Sequence, residues 1–227
     1  MGEAIGQSLP TAVGVALSPV PIIAVILMLT TPRAKVNGPS FVLGWLLGLG
    51  LVGALVLVLA GPSASAGDGE PAAWVGWLKL VLGLLLLAVA VRQFRGRPRH
   101  GEAGSMPKWM DAIDEFGAGK SLGLAALLSG ANPKNLLLAV AGAAAIAQTG
   151  IPGGQQAVAY TIFAIVGSLG VAAPVGIYLV MGKRSADLLA RLKEWLGLHN
   201  AVIMSVLCLL IGVKLLGDAL TVLTLGE

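Results

Sequence analysis

The chain is dominated by apolar runs that are each about as long as a membrane is thick. A helix needs about 20 mostly apolar residues to cross the hydrocarbon core of a bilayer. Runs of this length cover residues 5–30, 39–61, 72–94, 122–147, 156–181 and 201–225. Of the 227 residues, 56% are apolar and 11% are charged, whereas about a quarter are charged in an average soluble domain. The sequence therefore predicts an all-α integral membrane protein with six transmembrane helices.

Basic residues fall almost entirely in alternate loops. Twelve of the 15 Lys and Arg residues lie in the loops that follow the first, third and fifth runs. Short cytoplasmic loops collect such residues. The other two loops contain none, and the first of these carries Asp68 and Glu70. We therefore expect both termini to be extracytoplasmic, and the net charge of +4 to meet anionic membrane lipids rather than nucleic acid.

Two of the six runs are interrupted by proline near their middle. The stretch "SPVP" occupies positions 18–21 of the first run, and "SGANPKN" occupies positions 129–135 of the fourth. Proline removes a backbone donor and disturbs the preceding helical turn. Peptide groups freed in this way are tolerated at membrane depth only where protein or a watery cavity satisfies them. Each break is therefore predicted to line a polar site.

The positions of the breaks divide the chain into two halves. Each proline lies about 14 residues into its own helix. Residues 1–94 and 119–227 then form two three-helix repeats, joined by a cytoplasmic linker at 95–118. Because three is odd, the second repeat runs through the membrane inverted relative to the first. Inverted repeats whose interrupted helices correspond point to a transporter binding site at the repeat interface.

Lys134 is the most informative single residue. It lies inside the fourth run, which contains no acidic residue to neutralise it, and charge inside a membrane is costly and usually functional. The predicted substrate-binding residues are those of the two breaks, Ser18, Pro19, Pro21, Asn132, Pro133, Lys134 and Asn135. A lysine among amides and freed peptide groups is typical of an anion site. The alternative is that Lys134 reaches the membrane surface or pairs with Asp218 for stability only.

Two further lysines lie in apolar runs. Lys79 is near the outer end of its helix, where a long side chain can extend to the headgroups. Lys214 and Asp218 are four residues apart and share one helix face, so they are predicted to pair. The pair either neutralises itself locally or lines a transport pathway.

The linker and the glycines carry weaker signals. The segment "PKWMDAIDEF" at 107–116 places Trp109, Ile113 and Phe116 at helical spacing. This predicts an amphipathic helix on the inner membrane surface, or alternatively a partner-docking helix. Its acidic residues, Asp111, Asp114 and Glu115, would face water. Gly44 and Gly48 form a face of small residues that can join two helices of one chain or two protomers.

Enzyme chemistry is not indicated. His100 and His199 lie in or beside loops, and the acidic residues are not spaced as a metal-ligand set. A phosphate-binding loop is also absent, since "GAGKS" at 117–121 lacks its first glycine at the required spacing. We therefore expect no catalytic site, no metal and no cofactor.

The two broken segments resemble a known family. "AVGVALSPVPIIAVILMLTTPRAKVNGPSFVLGW" and "PKWMDAIDEFGAGKSLGLAALLSGANPKNLLLAVAG" are similar to the GAP family, or sulfolipid-1-addressing proteins, of mycobacteria and other actinobacteria. That family belongs to the lysine-exporter (LysE) superfamily of six-helix membrane proteins. The resemblance implies an export role in an inner (plasma) membrane, and it matches both proline motifs. A related branch carries electrons on a pair of cysteines, but Cys208 is the single cysteine here, which excludes a dithiol cycle.

Three functions remain open at this point. The first is an exporter or flippase of an anionic or glycosylated cell-envelope lipid, with lipids or amphiphiles as substrates. The second is a LysE-like secondary exporter of a small solute, an amino acid or a cation. The third is a non-transporting accessory subunit of a lipid-export assembly. Homo-oligomers or lipid-export partner proteins are compatible with all three.

Overall fold

The computed structural model describes residues 1–64, 73–96, 113 and 115–225, and these residues are almost entirely helical. The helices are α1 (Gly2–Ala16), α2 (Pro19–Leu29), α3 (Ala34–Ala64), α4 (Ala73–Arg95), α5 (Ala118–Gly130), α6 (Pro133–Ala147), α7 (Gly153–Met181) and α8 (Ala186–Leu225). A 3₁₀ turn at Gly182–Ser185 joins α7 to α8. The prediction of an all-α fold is confirmed.

Several of these helices are long and apolar enough to cross a membrane. Among the described residues, three stretches qualify by themselves, Ala34–Ala60, Gly76–Arg95 and Gly153–Thr224, and the count rises to five if two bent pairs are each one span. The count is lower than the predicted six because α7 and α8 form one 72-residue stretch. Gly182 interrupts that stretch with a φ of 57°, a backbone conformation that glycine adopts without strain. The chain is a multi-pass membrane protein.

The predicted interruptions occur at both proline motifs. The axes of α1 and α2 differ by 52°, and those of α5 and α6 differ by 64°. Ser18 and Asn132 have extended backbones and precede α2 and α6. Pro19 and Pro133 then occupy the first helical position. A residue at this position makes no helical hydrogen bond through its N–H, so proline is tolerated there. Each proline therefore starts a new helix at an angle to the one before it.

The glycine face of α3 is used within the chain. A Cβ on Gly44 would overlap the carbonyl oxygen of Leu122, and a Cβ on Gly48 would overlap Ser129 Oγ and lie 2.6 Å from the carbonyl oxygen of Ala126. Helices α3 and α5 therefore approach so closely that only glycine fits. The sequence left open whether this face joins two helices of one chain or two protomers. Because α5 of the same chain packs against it, the face joins two helices of one chain.

Large aromatic residues join α3 to α7 in the middle of the bundle. Trp45 and Phe163 are fully buried, with exposures of 0% and 1%. Trp45 Nε1 donates a hydrogen bond to the carbonyl oxygen of Gly167 at 3.3 Å, and Tyr160 Oη donates one to that of Leu49 at 2.9 Å. Helix α7 also packs against α1, and α4 packs along α8. These contacts surround the two breaks with rigid helices.

The end of the linker differs from the prediction. Pro107, Trp109, Asp111 and Asp114, like Asp68 and Glu70 of the preceding loop, lie outside the described residues. Ile113 is 1% exposed in the hydrophobic core, and the Phe116 N–H donates to the carbonyl oxygen of Ile113 in a single 3₁₀-type turn. The carbonyl oxygen of Phe116 in turn accepts a bond from Asn37 Nδ2 at 2.8 Å. These two apolar residues therefore dock onto the protein, because Ile113 joins the hydrophobic core, Phe116 packs against that core, and Asn37 of α3 supplies a hydrogen-bond donor.

Candidate functional site

The two broken helices meet through their side chains. Lys134 Nζ lies 2.5 Å from Ser18 Oγ, although the two residues are 116 positions apart in sequence. Ser18 Oγ also lies 2.8 Å from Asn135 Oδ1. One residue of the first break and two of the second thus form one hydrogen-bonded cluster.

The first break leaves carbonyl groups at the end of α1 without helical N–H donors, and side chains of this cluster donate hydrogen bonds to them. In a continuous helix the carbonyl of Val15 would accept from residue 19, but Pro19 has no N–H. The hydroxyl of Ser18 lies 2.8 Å from that carbonyl oxygen. Lys134 Nζ donates to the carbonyl oxygen of Gly14 at 2.8 Å. The end of α1 carries partial negative charge from its unpaired carbonyl groups, so a lysine stabilises it.

The second break is held by its own amides. Asn132 Oδ1 accepts from the backbone N–H of Lys134 at 3.1 Å and so caps the N-terminus of α6. Asn135 Nδ2 donates to the carbonyl oxygen of Leu128 at 2.9 Å. Asn135 therefore satisfies a backbone group at the end of α5 while its other amide atom faces Ser18. Pro133 begins α6 and does not line the cavity described below.

Lys134 is buried without a carboxylate partner among the described residues. Its side chain is 8% exposed, and its ammonium uses two of three possible donors, on Gly14 and Ser18. Asp218 binds Lys214 instead, with Nζ and Oδ2 2.6 Å apart. The alternative that Lys134 pairs with Asp218 is therefore wrong.

A cavity of about 80 Å³ adjoins this cluster. It is lined by Ser18, Pro19, Val20, Pro21, Val89, Gln93, Asn132, Lys134, Asn135, Asn200 and Met204. Six of the seven residues predicted to bind substrate are among them. Gln93 lies near the end of α4 that carries Arg92 and Arg95, and Asn200 follows the basic first part of α8. The cavity thus extends from the breaks toward the basic loops.

Sequence reasoning missed five of the lining residues, and Gln93 and Asn200 are the polar ones among them. Each lies at the edge of an apolar run, where a polar residue normally marks the membrane boundary. The only available signal was that both are uncharged amides beside basic residues. Their convergence on Lys134 depends on how α4 and α8 pack, which a single sequence does not reveal.

A second group of charges lies between α4 and α8. Lys214 and Asp218 form the predicted ion pair, each with about one third of its side chain exposed. Lys79 is 5% exposed and interacts electrostatically with Asp218 and Lys214. Its side chain is therefore buried rather than extended to the surface as predicted. None of the three lines the Lys134 cavity.

The fold and the site together define a multi-pass membrane protein in which two broken helices meet at a buried lysine that pairs with no carboxylate of the described residues. Within the described part of the chain, no group of three or more His, Cys, Asp or Glu residues could hold a metal ion.

Comparison with known proteins identifies the family. Residues 9–221 match the family described as Sap, sulfolipid-1-addressing protein, and the chain belongs to this family. No curated protein and no solved structure matches the chain significantly.

Proposed function

We propose that this protein is an exporter or flippase that moves an anionic or glycosylated cell-envelope lipid across the inner membrane. The observation that carries the proposal is Lys134, buried at the meeting point of two broken helices and facing a cavity in which none of the described lining residues is a carboxylate. Burying a cation without a counter-ion is costly. An anionic group that enters the cavity removes this cost, so the site favours an anionic cargo. The name of the family, which refers to sulfolipid-1, supports the same class of cargo.

The size of the cavity limits what it holds. A volume of about 80 Å³ accommodates several water molecules, or one charged group with its neighbouring atoms. It does not accommodate a whole lipid. In our proposal the head group reaches Lys134 while the acyl chains stay in the bilayer, beside the apolar outer faces of the helices.

Six spans in two inverted repeats are also part of the proposal. The stretch that contains α7 and α8 has 72 residues, about 108 Å if it were one straight helix, whereas the hydrocarbon core is about 30 Å thick. We propose that it crosses the membrane twice, once before and once after Gly182. With the two bent pairs, α3 and α4, the total becomes six.

The contacts between helices support this repeat. In two such repeats, α1 to α4 of the first repeat correspond in order to α5 to α8 of the second. The contact of α3 with α5 then corresponds to the contact of α7 with α1, and the contact of α2 with α8 corresponds to the contact of α6 with α4. All four contacts are present. A glycine contact repeats as well, because Gly48 packs against the last turn of α5, and Gly170 of α7 packs against the carbonyl oxygen of Ala16 at the end of α1. Rocking of one repeat against the other would expose Lys134 alternately to the two sides.

Two alternatives have less support. A LysE-like exporter of a cationic solute would need a buried carboxylate, but the lining residues that the structure describes include none, and Lys134 would repel the cargo. An accessory subunit that only organises a lipid-export assembly would have no need for a buried lysine in a cavity. We also propose that the chain is not an enzyme. Ser18 Oγ and Lys134 Nζ are close enough to act as nucleophile and base, but Ser18 Oγ also lies 2.8 Å from the carbonyl oxygen of Val15 and from Asn135 Oδ1, so we assign this pair to joining the two breaks.

Reconstitution tests the transport step directly. The purified chain is placed in phosphatidylcholine vesicles that contain a fluorescent sulfated glycolipid, and dithionite quenches the probe in the outer leaflet. We expect the protected fraction to decay faster than in protein-free vesicles, and a fluorescent phosphatidylcholine to show no acceleration. Failure of the folded protein to accelerate the sulfated probe contradicts autonomous transport. Acceleration that appears only after another membrane protein is added favours the accessory role.

Single-cysteine labelling tests the orientation. In a Cys208→Ala background, Arg184→Cys reports on the turn between α7 and α8, and Gln155→Cys reports on the start of α7. Both positions are exposed. Because basic loops stay in the cytoplasm, we expect an impermeant maleimide added to intact cells to label Gln155→Cys only. Labelling of Arg184→Cys from outside contradicts the orientation.

A further inference from the structure

Two amide side chains in the cavity have no role in holding the breaks together. Gln93 of α4 and Asn200 of α8 are half-buried, and neither forms a hydrogen bond with the described residues. Asn132 and Asn135 differ in this respect, since both use their amides on backbone groups. Gln93 and Asn200 are therefore available to a ligand.

Asn200 has an acceptor that lacks a donor. Its Oδ1 is buried and makes no hydrogen bond with the described residues. Buried polar atoms in folded proteins are nearly always paired, and an unpaired one destabilises the fold. Only a group with a hydrogen to donate can satisfy this atom.

The unused hydrogen-bonding groups around the cavity indicate which chemical groups a ligand must carry. Lys134 retains one N–H donor and an uncompensated charge, which match an anionic oxygen. Asn200 Oδ1 needs a donor, which a sulfate ester or a phosphodiester oxygen does not have. A hydroxyl donates and accepts, so it satisfies Asn200 Oδ1 and also binds the Gln93 amide. Water occupies such an acceptor when the site is empty, and a ligand hydroxyl replaces it.

We infer that Gln93 and Asn200 determine specificity by binding a hydroxyl of the cargo head group while Lys134 binds its anionic group. The ligand is an anionic, hydroxylated head group, as in a sulfated or otherwise acidic sugar. This inference rests on the proposed function. It adds two residues to the binding site and requires the cargo head group to carry a hydroxyl as well as an anionic group. A site built to hydrogen-bond a hydroxyl discriminates strongly against an analogue that lacks it, because its own polar groups then remain unpaired.

Binding of two matched amphiphiles tests the inference. The full chain is purified in a polyoxyethylene detergent, which carries no sugar. The probes are octyl sulfate and octyl glucoside 6-sulfate, which share the chain and the sulfate but differ in the sugar. Calorimetric titration of the wild-type protein is expected to give at least about tenfold tighter binding of the sugar sulfate, equivalent to about 1.4 kcal/mol. Glucose 6-sulfate without a chain reveals whether the head group alone, from a soluble source, suffices.

Variants separate this inference from the proposed function. Asn200→Leu and Gln93→Leu, which keep a similar side-chain size, are expected to remove the preference for the sugar sulfate while leaving octyl sulfate binding within about twofold. Lys134→Met is expected to lose both probes. Gln155→Leu, at an exposed position outside the cavity, serves as the control, and monodisperse elution verifies folding for each variant.

The outcomes are distinguishable. If Lys134→Met loses binding but both Leu variants keep the preference, the inference is wrong and the proposed function stands. If the wild-type protein shows no preference, or binds neither probe, the inference is also overturned. If Lys134→Met binds both probes like the wild type, the anion site and the proposed function fail together.

Discussion

Replacing Lys134 by methionine is expected to reduce delivery of the cargo lipid to the cell surface by at least about tenfold at normal protein abundance. The variant keeps the length of the side chain but removes the cation from the cavity. The anionic head group then enters a buried site with no charge to receive it. Lys134→Glu is expected to be at least as defective, because it places like charge against the cargo. The measurement is extraction of surface and total lipids from a deletion strain that expresses each variant.

The stability of the methionine variant is expected to change little. The carbonyl oxygen of Gly14 loses a hydrogen bond from Lys134, which costs about 1–3 kcal/mol if nothing replaces it. Removal of a buried, unneutralised cation offsets this cost. Lys35→Met serves as the control, because Lys35 is exposed and lies outside the cavity. Normal surface delivery by Lys134→Met at wild-type abundance would rule out the anion site.

Substituting Gly44 by alanine is expected to destabilise the whole protein. The added Cβ would overlap the carbonyl oxygen of Leu122 and lie 2.8 Å from its Cα. These are backbone atoms, so α3 and α5 must separate to make room. Overpacking of this kind costs about 1–3 kcal/mol or more. We expect a thermal midpoint several degrees lower, measured in detergent by the loss of the monodisperse elution peak.

Gly50 provides a matched control on the same helix. A Cβ at this position would meet no atom within 4 Å, so Gly50→Ala is expected to be neutral or to stabilise α3 by up to about 1 kcal/mol through helix propensity. Equal midpoints for the two variants contradict close packing of α3 on α5. A change in oligomeric state without loss of stability in Gly44→Ala shows that the face joins protomers.

The helical class and the places of the two breaks were predictable because the membrane imposes strict rules. Apolar runs of fixed length must be helices, so composition and spacing predict them. Lys134 was recognisable because charge at membrane depth is rare and costly. The breaks at Ser18 and Asn132 were recognisable because proline cannot continue a helical ladder. These inferences need only local sequence.

Other features depended on contacts between distant segments. Gln93 and Asn200 resemble ordinary polar residues at helix ends, and only the packing of α4 and α8 brings them to the cavity. Lys79 was predicted to reach the membrane surface, but its side chain is buried. Ile113 was predicted to lie on the membrane, but it is buried in the core. In each case the residue type fits two environments, one at the membrane boundary and one between packed helices, and the local sequence does not distinguish them.

The sequence alone determined that the chain is an all-α membrane protein with two interrupted helices and an unneutralised lysine. The tertiary structure decided that Lys134 binds the carbonyl oxygen of Gly14 and the hydroxyl of Ser18, that Gly44 and Gly48 join α3 to α5, and that two further amides line the cavity. The physical reason is the range of the forces involved. Helix formation and membrane burial depend on neighbouring residues, whereas the partner of a buried polar atom depends on which helices pack together.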